Sequence, residues 1–241
     1  MPKTNLTEII ALLDRSGSMS SIAKDVCGGF DALIKDQKSA PGECHVTVVQ
    51  FDSGGIDTIL ENAPVDKVPP LTLEPRGTTP LLDAIGETID KVGKRLAATE
   101  ENQRPEKVVF VIMTDGYENA SHRYSRDQIK TLIEQQSNQW KWQFSYIGAN
   151  VDAFAEAATI GIAAAASASF AANTLGVQNA YGSLSKNVRS LRSGQSTVMS
   201  YDVNQRQSMG GLNANQTPPV DQNVINPLDP NAAPAKDPNQ P

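Results

Sequence analysis

Cysteine, histidine and aromatic residues are scarce in this 241-residue chain, which has two cysteines, two histidines and 5% aromatic residues. Cys27 and Cys44 show no paired spacing, so the pattern favours two reduced thiols in a reducing compartment over a disulfide framework. His45 and His122 form no ligand spacing with the cysteines, which argues against a zinc site.

Long apolar runs and an excess of positive charge are missing as well. No segment approaches the roughly 20 apolar residues that cross a bilayer, and the apolar run after Lys3, about five residues long, is too short for a signal peptide. The formal net charge of −6 argues against nucleic acid as the main partner, because phosphate binding needs a basic surface. Together these absences predict a cytoplasmic protein that binds neither membranes nor nucleic acid.

Apolar runs alternate with amphipathic helical stretches, which is typical of a mostly parallel sheet covered by helices on both faces. Strands are predicted at 8–13, 45–51, 107–113 and 143–147, with weaker strands at 56–60 and within 163–170. The segments 45–51 and 56–60 flank Asp52-Ser53-Gly54-Gly55 and predict a hairpin, which places an antiparallel strand at one edge of the sheet.

Helices are predicted where apolar residues recur at helical spacing, and the last of these patterns ends near Gly194. Residues 1–195 therefore predict one α/β domain. Residues 196–241, rich in Asn, Gln and Pro, predict a flexible tail. That tail is interpreted as a solvated extension, with a tether that becomes ordered on a partner as the alternative.

Three polar segments follow or precede these predicted elements. Asp14-Arg15-Ser16-Gly17-Ser18 comes directly after the apolar run 9–13, Gly77-Thr78-Thr79-Pro80 opens a helical pattern, and Asp115 ends the run 108–113 after Thr114. Ligand sites in doubly wound sheets form beyond the carboxyl ends of the strands. Carboxylate and hydroxyl oxygens suit a hard cation such as Mg²⁺.

The order D-x-S-x-S, then T, then D resembles the von Willebrand factor A (VWA) family and its metal-ion-dependent adhesion site. The resemblance covers residues 1–195 and implies a Rossmann-like, doubly wound fold. Carried over by position, it implies the metal ligands Asp14, Ser16, Ser18, Thr79 and Asp115. The implied ion is Mg²⁺, with Mn²⁺ as the alternative, and an Asp or Glu of a partner protein completes its coordination.

The resemblance also suggests a biological setting. It implies a module of bacterial or phage type, working in a multiprotein assembly such as one with an ATPase, or associated with a virion if phage-encoded. The missing signal peptide and disulfide pattern favour the intracellular branch of the family. Five residues flank the metal loops and are predicted at the rim that surrounds the partner's carboxylate, with an ordinary solvated loop residue as the favoured alternative for each. They are Met19, Arg76, Tyr117, Glu118 and Asn119.

The residues of the motif also allow other interpretations. Alone, the Asp-x-Ser-x-Ser pattern is also typical of a polar turn that caps a helix. Phosphatases with an aspartate nucleophile need a second aspartate two residues later, where this chain has Ser16, so no enzyme is predicted. An intact but unused site, and an assembly component that docks without metal, remain alternatives.

Overall fold

A computed structural model describes residues 1–212 of the chain. Its centre is a six-stranded sheet in the order β3-β2-β1-β4-β5-β6, in which only the β2–β3 pair is antiparallel. The strands are β1 (Lys3–Asp14), β2 (Glu43–Asp52), β3 (Gly55–Pro64), β4 (Pro105–Thr114), β5 (Gln143–Ala149) and β6 (Ser167–Phe170). This architecture confirms the predicted fold class, a doubly wound and mostly parallel sheet with one antiparallel edge strand.

Helices cover both faces of the sheet. They are α1 (Ala23–Ser39), α2 (Leu81–Ala98), α3 (Arg126–Trp140), α4 (Ala153–Thr159), α5 (Thr174–Arg192) and α6 (Val203–Met209). Leu13 of β1 faces α1 and α5, where it packs with Phe30 and Leu184. Glu8 points to the opposite face and pairs with Arg95 of α2 at 2.5 Å. None of the helices in residues 1–212 is long and apolar enough to span a membrane.

Burial follows the sequence pattern strand by strand. In β1, every residue from Leu6 to Asp14 is buried, as expected for a central strand covered on both faces. The edge strand β3 instead alternates, with Ile56, Thr58 and Leu60 half-buried and the residues between them exposed. The central position of β1 and β4 brings their carboxyl ends side by side, so residues following the two strands become neighbours.

Packed residues continue beyond the predicted domain boundary at residue 195. Met199, Tyr201 and Met209 are buried, and Gly210 forms an antiparallel bridge with Phe170, the last residue of β6. Apolar residues in this segment are too few and too irregular to form a helical or strand pattern, so its packing was not predictable from periodicity. Of the predicted tail, residues 213–241 lie outside the described part of the chain.

Candidate metal centre

The five predicted ligands meet at the carboxyl edge of the sheet. Asp14 ends β1, Asp115 follows the neighbouring β4, and Ser16 and Ser18 lie in the turn after β1. Ser18 Oγ donates to Asp115 Oδ1 at 2.6 Å and lies 3.0 Å from Ser16 Oγ. Thr79 completes the group, because an ideal Cβ at Gly116 would be 3.5 Å from Thr79 Oγ1 and 3.6 Å from Ser18 Oγ.

Asp14 is held rigidly at the base of this cluster. Its Oδ2 accepts a hydrogen bond from Thr114 Oγ1 at 2.6 Å, and its Oδ1 accepts one from the Ser16 backbone N–H at 2.6 Å. The side chain is fully buried, and this burial raises the pKa of Asp14 to about 6 from 3.8, although the hydrogen bonds act in the opposite direction. Thr114 is a positioning residue that sequence reasoning missed.

Asp115 shares this environment. Burial raises the pKa of its carboxyl group, and the hydrogen bond from Ser18 offsets only part of that effect. Two carboxylates therefore lie beside each other out of water, and the proximity of Asp115 contributes to the raised pKa of Asp14. A pair of this kind favours either protonation or a bound cation.

The buried carboxylate of Asp52 has cationic partners that Asp14 and Asp115 lack. Asp52 is as buried as Asp14, yet it accepts hydrogen bonds from Arg15 Nε at 2.5 Å and Arg76 Nε at 3.0 Å. Within residues 1–212, neither Asp14 nor Asp115 forms a comparable ion pair with a lysine, arginine or histidine. Two uncompensated buried negative charges match the charge of one divalent cation.

The chemistry of the donors also fits Mg²⁺ or Mn²⁺. Two carboxylates and three hydroxyls offer hard oxygen ligands and no sulfur or imidazole. Because only two of the five are carboxylates, the cluster differs from acidic metal sites. Accordingly, the described residues contain no group of three or more His, Cys, Asp or Glu side chains arranged to hold an ion.

Comparisons with known proteins place this geometry on a recognised fold. No protein-family model and no curated protein matches the chain. Among solved structures, a von Willebrand factor type A structure from Catenulispora acidiphila superimposes with a TM-score of 0.53 and 11% identity, covering 78% of this chain and 43% of that one. The fold is that of a VWA domain.

A second structural match is to a protein of the mussel byssus. Proximal thread matrix protein 1 from the mussel byssus superimposes with a TM-score of 0.55 and 14% identity, covering 76% of this chain and 46% of that chain. This chain thus spans less than half the length of either solved structure. At such low identities, the likeness establishes the fold alone.

Backbone hydrogen bonds hold the Thr79 loop against the loop that follows Asp14. Gly17 N–H donates to Gly77 O at 3.1 Å, and Arg76 N–H donates to Arg15 O at 2.8 Å. Gly77 adopts a left-handed conformation with φ of 66°, which glycine reaches without strain. These contacts bring a third, sequence-distant segment to the carboxyl edge.

Glu118 and Asn119 accept hydrogen bonds from other parts of the protein, although Asn119 is also exposed. Asn119 Oδ1 accepts from Thr79 N–H at 2.9 Å, and Asn119 N–H donates to Thr79 O at 3.2 Å. The Glu118 carboxylate accepts from the backbone N–H groups of Leu82 and Ser121 at 2.9 and 2.7 Å. Asn119 therefore holds Thr79 and Glu118 holds the start of α2, and their place at a partner-binding rim stays a prediction.

Asn119→Ala is expected to weaken binding of a divalent cation about 10- to 100-fold, because it releases the Thr79 backbone from its side-chain partner. Isothermal titration with MnCl₂ measures this effect. Asn173→Ala is the matched control, since Asn173 makes the same kind of contact, to Gly176 N–H, at the start of α5. Equal Mn²⁺ affinity in wild type and Asn119→Ala would show that Thr79 does not need this support.

The remaining predicted rim residues divide by exposure. Met19 is completely buried in the core, which corrects its predicted position at the rim: the turn after β1 points this side chain inward. Tyr117 is 50% exposed and directly follows the Asp115-Gly116 segment. The Arg76 side chain is 58% exposed while its Nε is bonded to Asp52. Among the predicted rim residues, Arg76, Tyr117 and Asn119 thus combine exposure with proximity to the metal loops.

Asp83 orders the loop on the other side of this centre. Its carboxylate accepts three hydrogen bonds of 2.9 Å from the backbone N–H groups of His122, Arg123 and Tyr124. Burial by itself would raise the pKa of Asp83, but these hydrogen bonds outweigh burial and lower it. The segment after β4 is therefore anchored to α2 at both Glu118 and Asp83.

Proposed function

We propose that this VWA domain binds Mg²⁺ or Mn²⁺ at Asp14, Ser16, Ser18, Thr79 and Asp115, and that the ion holds an Asp or Glu side chain of a partner protein. The observation that carries the proposal is the pair of buried carboxylates, Asp14 and Asp115, with no cationic partner in residues 1–212. The resemblance of the motif to the metal-ion-dependent adhesion site supports it further.

The two carboxylates and the three hydroxyls of the donor set have different roles. Asp14 and Asp115 supply the negative charge that holds a divalent ion, and the three hydroxyls complete its environment without adding charge. Mg²⁺ prefers six oxygen ligands, so a five-residue donor set leaves room for an oxygen from another molecule. When bound, the ion supplies an electrophilic centre that attracts a carboxylate.

Thr114 and Asn119 keep the donors in place before the ion arrives. Thr114 Oγ1 fixes one oxygen of Asp14, and Asn119 fixes the backbone of Thr79. Donors that are already positioned lose little conformational freedom on binding, which favours affinity. Arg76 adds a positive charge beside the site that would favour approach of an acidic partner.

Binding rather than catalysis is proposed because the residue positions suit coordination. Ser16, two residues after Asp14, lies 3.0 Å from another hydroxyl, Ser18 Oγ. A hydroxyl at this position cannot act as the general acid and base that an aspartate-based phosphatase requires. We therefore propose a non-enzymatic interaction module.

Capture of partners from a lysate of the encoding organism tests this function. With Mg²⁺, wild type and Ser20→Ala are expected to retain the same partner, because Ser20 lies in the same turn but its hydroxyl donates to Gly17 O and is not one of the five proposed donors. Ser16→Ala, or addition of EDTA, should reduce capture at least about tenfold, since a donor or the ion itself is lost.

The competing view is an assembly component that docks without metal. That view requires capture to be unchanged by EDTA and by Ser16→Ala, which would contradict the proposal. Titration of the purified chain with MnCl₂, followed by electron paramagnetic resonance, reports metal binding independently of any partner.

A further inference from the structure

A cavity opens at the edge of the sheet opposite the metal centre. The carboxyl ends of α1 and α5 meet there, and Arg192 at the end of α5 donates to Gln37 O near the end of α1 at 2.8 Å. The cavity between the two helices has a volume of about 460 Å³. That volume lies within the range of about 300–1,000 Å³ that is typical of small-molecule sites.

Positive charge is concentrated in the wall of this cavity. The lining contains three cationic side chains, Lys186, Arg189 and Arg192, and a single carboxylate, Asp36. Asp36 Oδ2 accepts a hydrogen bond from Ser185 Oγ at 3.0 Å, so part of its carboxylate is already engaged with α5. Because the chain as a whole has a formal net charge of −6, the cavity reverses the overall sign of charge locally.

Arg192 is the buried member of this cationic group, with 8% of its surface exposed. Its guanidinium group donates to Gln37 Oε1 and Gly42 O, both at 2.9 Å, and these acceptors are neutral. Within residues 1–212 no carboxylate forms an ion pair with Arg192, and its buried Nε has no hydrogen-bond partner. Burial accordingly lowers the pKa of Arg192. A buried cation without an acidic partner is stabilised by an anion that binds beside it.

Capping of α5 does not account for the exposed cations Lys186 and Arg189. The end of the helix already has donors, since Leu191 O accepts from Gly194 N–H at 3.1 Å and from Lys107 Nζ at 2.9 Å. In the part of the chain that the structure describes, the side chains of Lys186 and Arg189 make neither a hydrogen bond nor an ion pair. Both are therefore available to a ligand in the cavity.

We propose that this cavity binds the phosphate group of a small phosphate ester. Lys186 and Arg189 donate to the phosphate oxygens, and Arg192 adds positive charge from the wall. A phosphate group carries up to two negative charges and several acceptor oxygens, which matches a group of three cations better than a single carboxylate does. Ser190 and Gln195 line the same cavity and offer hydrogen bonds to the hydroxyl groups of a sugar. The site is separate from the metal centre and independent of the proposed metal binding.

Titration of the full chain with ribose 5-phosphate, followed by amide NMR, tests this site. EDTA is present throughout, so that no ion at the metal centre can capture the phosphate. Wild type is expected to bind with a Kd at or below about 1 mM, and the signals of residues 186–195 should shift. The double variant Lys186→Gln, Arg189→Gln should bind at least about tenfold more weakly, because two charged donors are lost.

The double variant Lys94→Gln, Lys130→Gln is the matched control. It removes the same charge from exposed positions on α2 and α3, outside the cavity, and should bind ribose 5-phosphate like wild type. Lys186 and Arg189 are also exposed, so their replacement leaves the packed domain unchanged. Ribose, the neutral counterpart of the ligand, should cause no shift, and inorganic phosphate should bind more weakly than the ester.

Several results would overturn the proposal. They are the absence of shifts with ribose 5-phosphate, an equal Kd in wild type and in Lys186→Gln, Arg189→Gln, and equal binding of ribose and its phosphate. Inorganic phosphate that binds as tightly as the ester would assign the cavity to free phosphate instead. Binding of a phosphoserine peptide but not of ribose 5-phosphate would assign it to a protein partner.

Discussion

Replacing Asp14 with asparagine is expected to weaken Mg²⁺ and Mn²⁺ binding more than about 100-fold and to stabilise the metal-free protein at the same time. Asparagine removes a charge that is completely buried and has no cationic partner in residues 1–212. It keeps the size of the side chain, and Thr114 can donate to Gly116 O instead while accepting from the new amide. A residue that lowers the stability of the metal-free protein but binds an ion is typical of a functional site.

The raised pKa of Asp14 determines how the stability difference between wild type and Asp14→Asn changes with pH. The pKa of Asp14 rises from 3.8 to about 6 on folding, which corresponds to a cost of about 3 kcal/mol when the carboxyl group is ionised. The folded protein binds the proton more tightly than the unfolded chain, so this cost is absent below about pH 4. It grows as the pH rises through 6 and is constant above that. In EDTA, the advantage of Asp14→Asn in unfolding free energy should therefore widen between pH 4.5 and 7.5.

Urea unfolding in EDTA at several pH values measures this advantage, which we expect to reach about 1–3 kcal/mol at pH 7.5. Asp66→Asn is the control, because Asp66 is exposed at the surface, and it should change neither stability nor Mn²⁺ affinity. A metal-free Asp14→Asn protein that is less stable than wild type at pH 7.5 would mean that the Asp14 carboxylate supports the fold rather than a ligand.

Arg206→Met is expected to lower the free energy of unfolding by about 3–4 kcal/mol. The guanidinium group, 2% exposed, donates to the carbonyl oxygens of Tyr201, Ala165 and Ser167, the last two at 3.0 and 3.1 Å, and stacks 5.2 Å from the Phe154 ring. Methionine fills much of the same volume but donates no hydrogen bond, so several buried carbonyl groups lose their partner.

Chemical denaturation with circular dichroism measures the loss. Arg189→Met on the exposed face of α5 removes the same charge without these contacts and should change stability by less than about 0.5 kcal/mol. A similarly small effect of Arg206→Met would show that residues 199–210 are not part of the cooperative unit. Metal affinity should be retained in folded Arg206→Met, because Arg206 does not contact the metal loops.

The sequence predicted those features that depend on neighbouring residues. The buried run that ends at Asp14, and the polar turn that follows it, are visible locally, and parallel strands bring Asp115 to the same edge. The hydrogen bonds of Thr114 to Asp14 and of Asn119 to Thr79 join residues far apart in sequence. No local pattern identifies such partners, although the position of Thr114 at the end of a central strand was a usable signal.

Other differences arise because polarity alone does not determine burial. Met19, predicted at the rim from its position next to Ser18, turns into the core because the short helical turn at Gly17–Ser21 reverses its direction. Arg206 was not expected in the interior, since a buried arginine depends on carbonyl groups from distant loops. Arg15 is similar, because its burial depends on Asp52 at the end of β2.

The bridge between Phe170 and Gly210 also bears on self-association of the sheet. An open sheet polymerises into fibrils only if both of its edge strands offer unpaired backbone groups. Here Gly210 and Gly211 occupy the carboxyl half of the β6 edge, while β3 is the edge strand at the other side. Strand addition at β3 alone joins two molecules into a closed pair and cannot propagate. The segment that completes the domain therefore also covers part of one of the two edges at which another sheet could add.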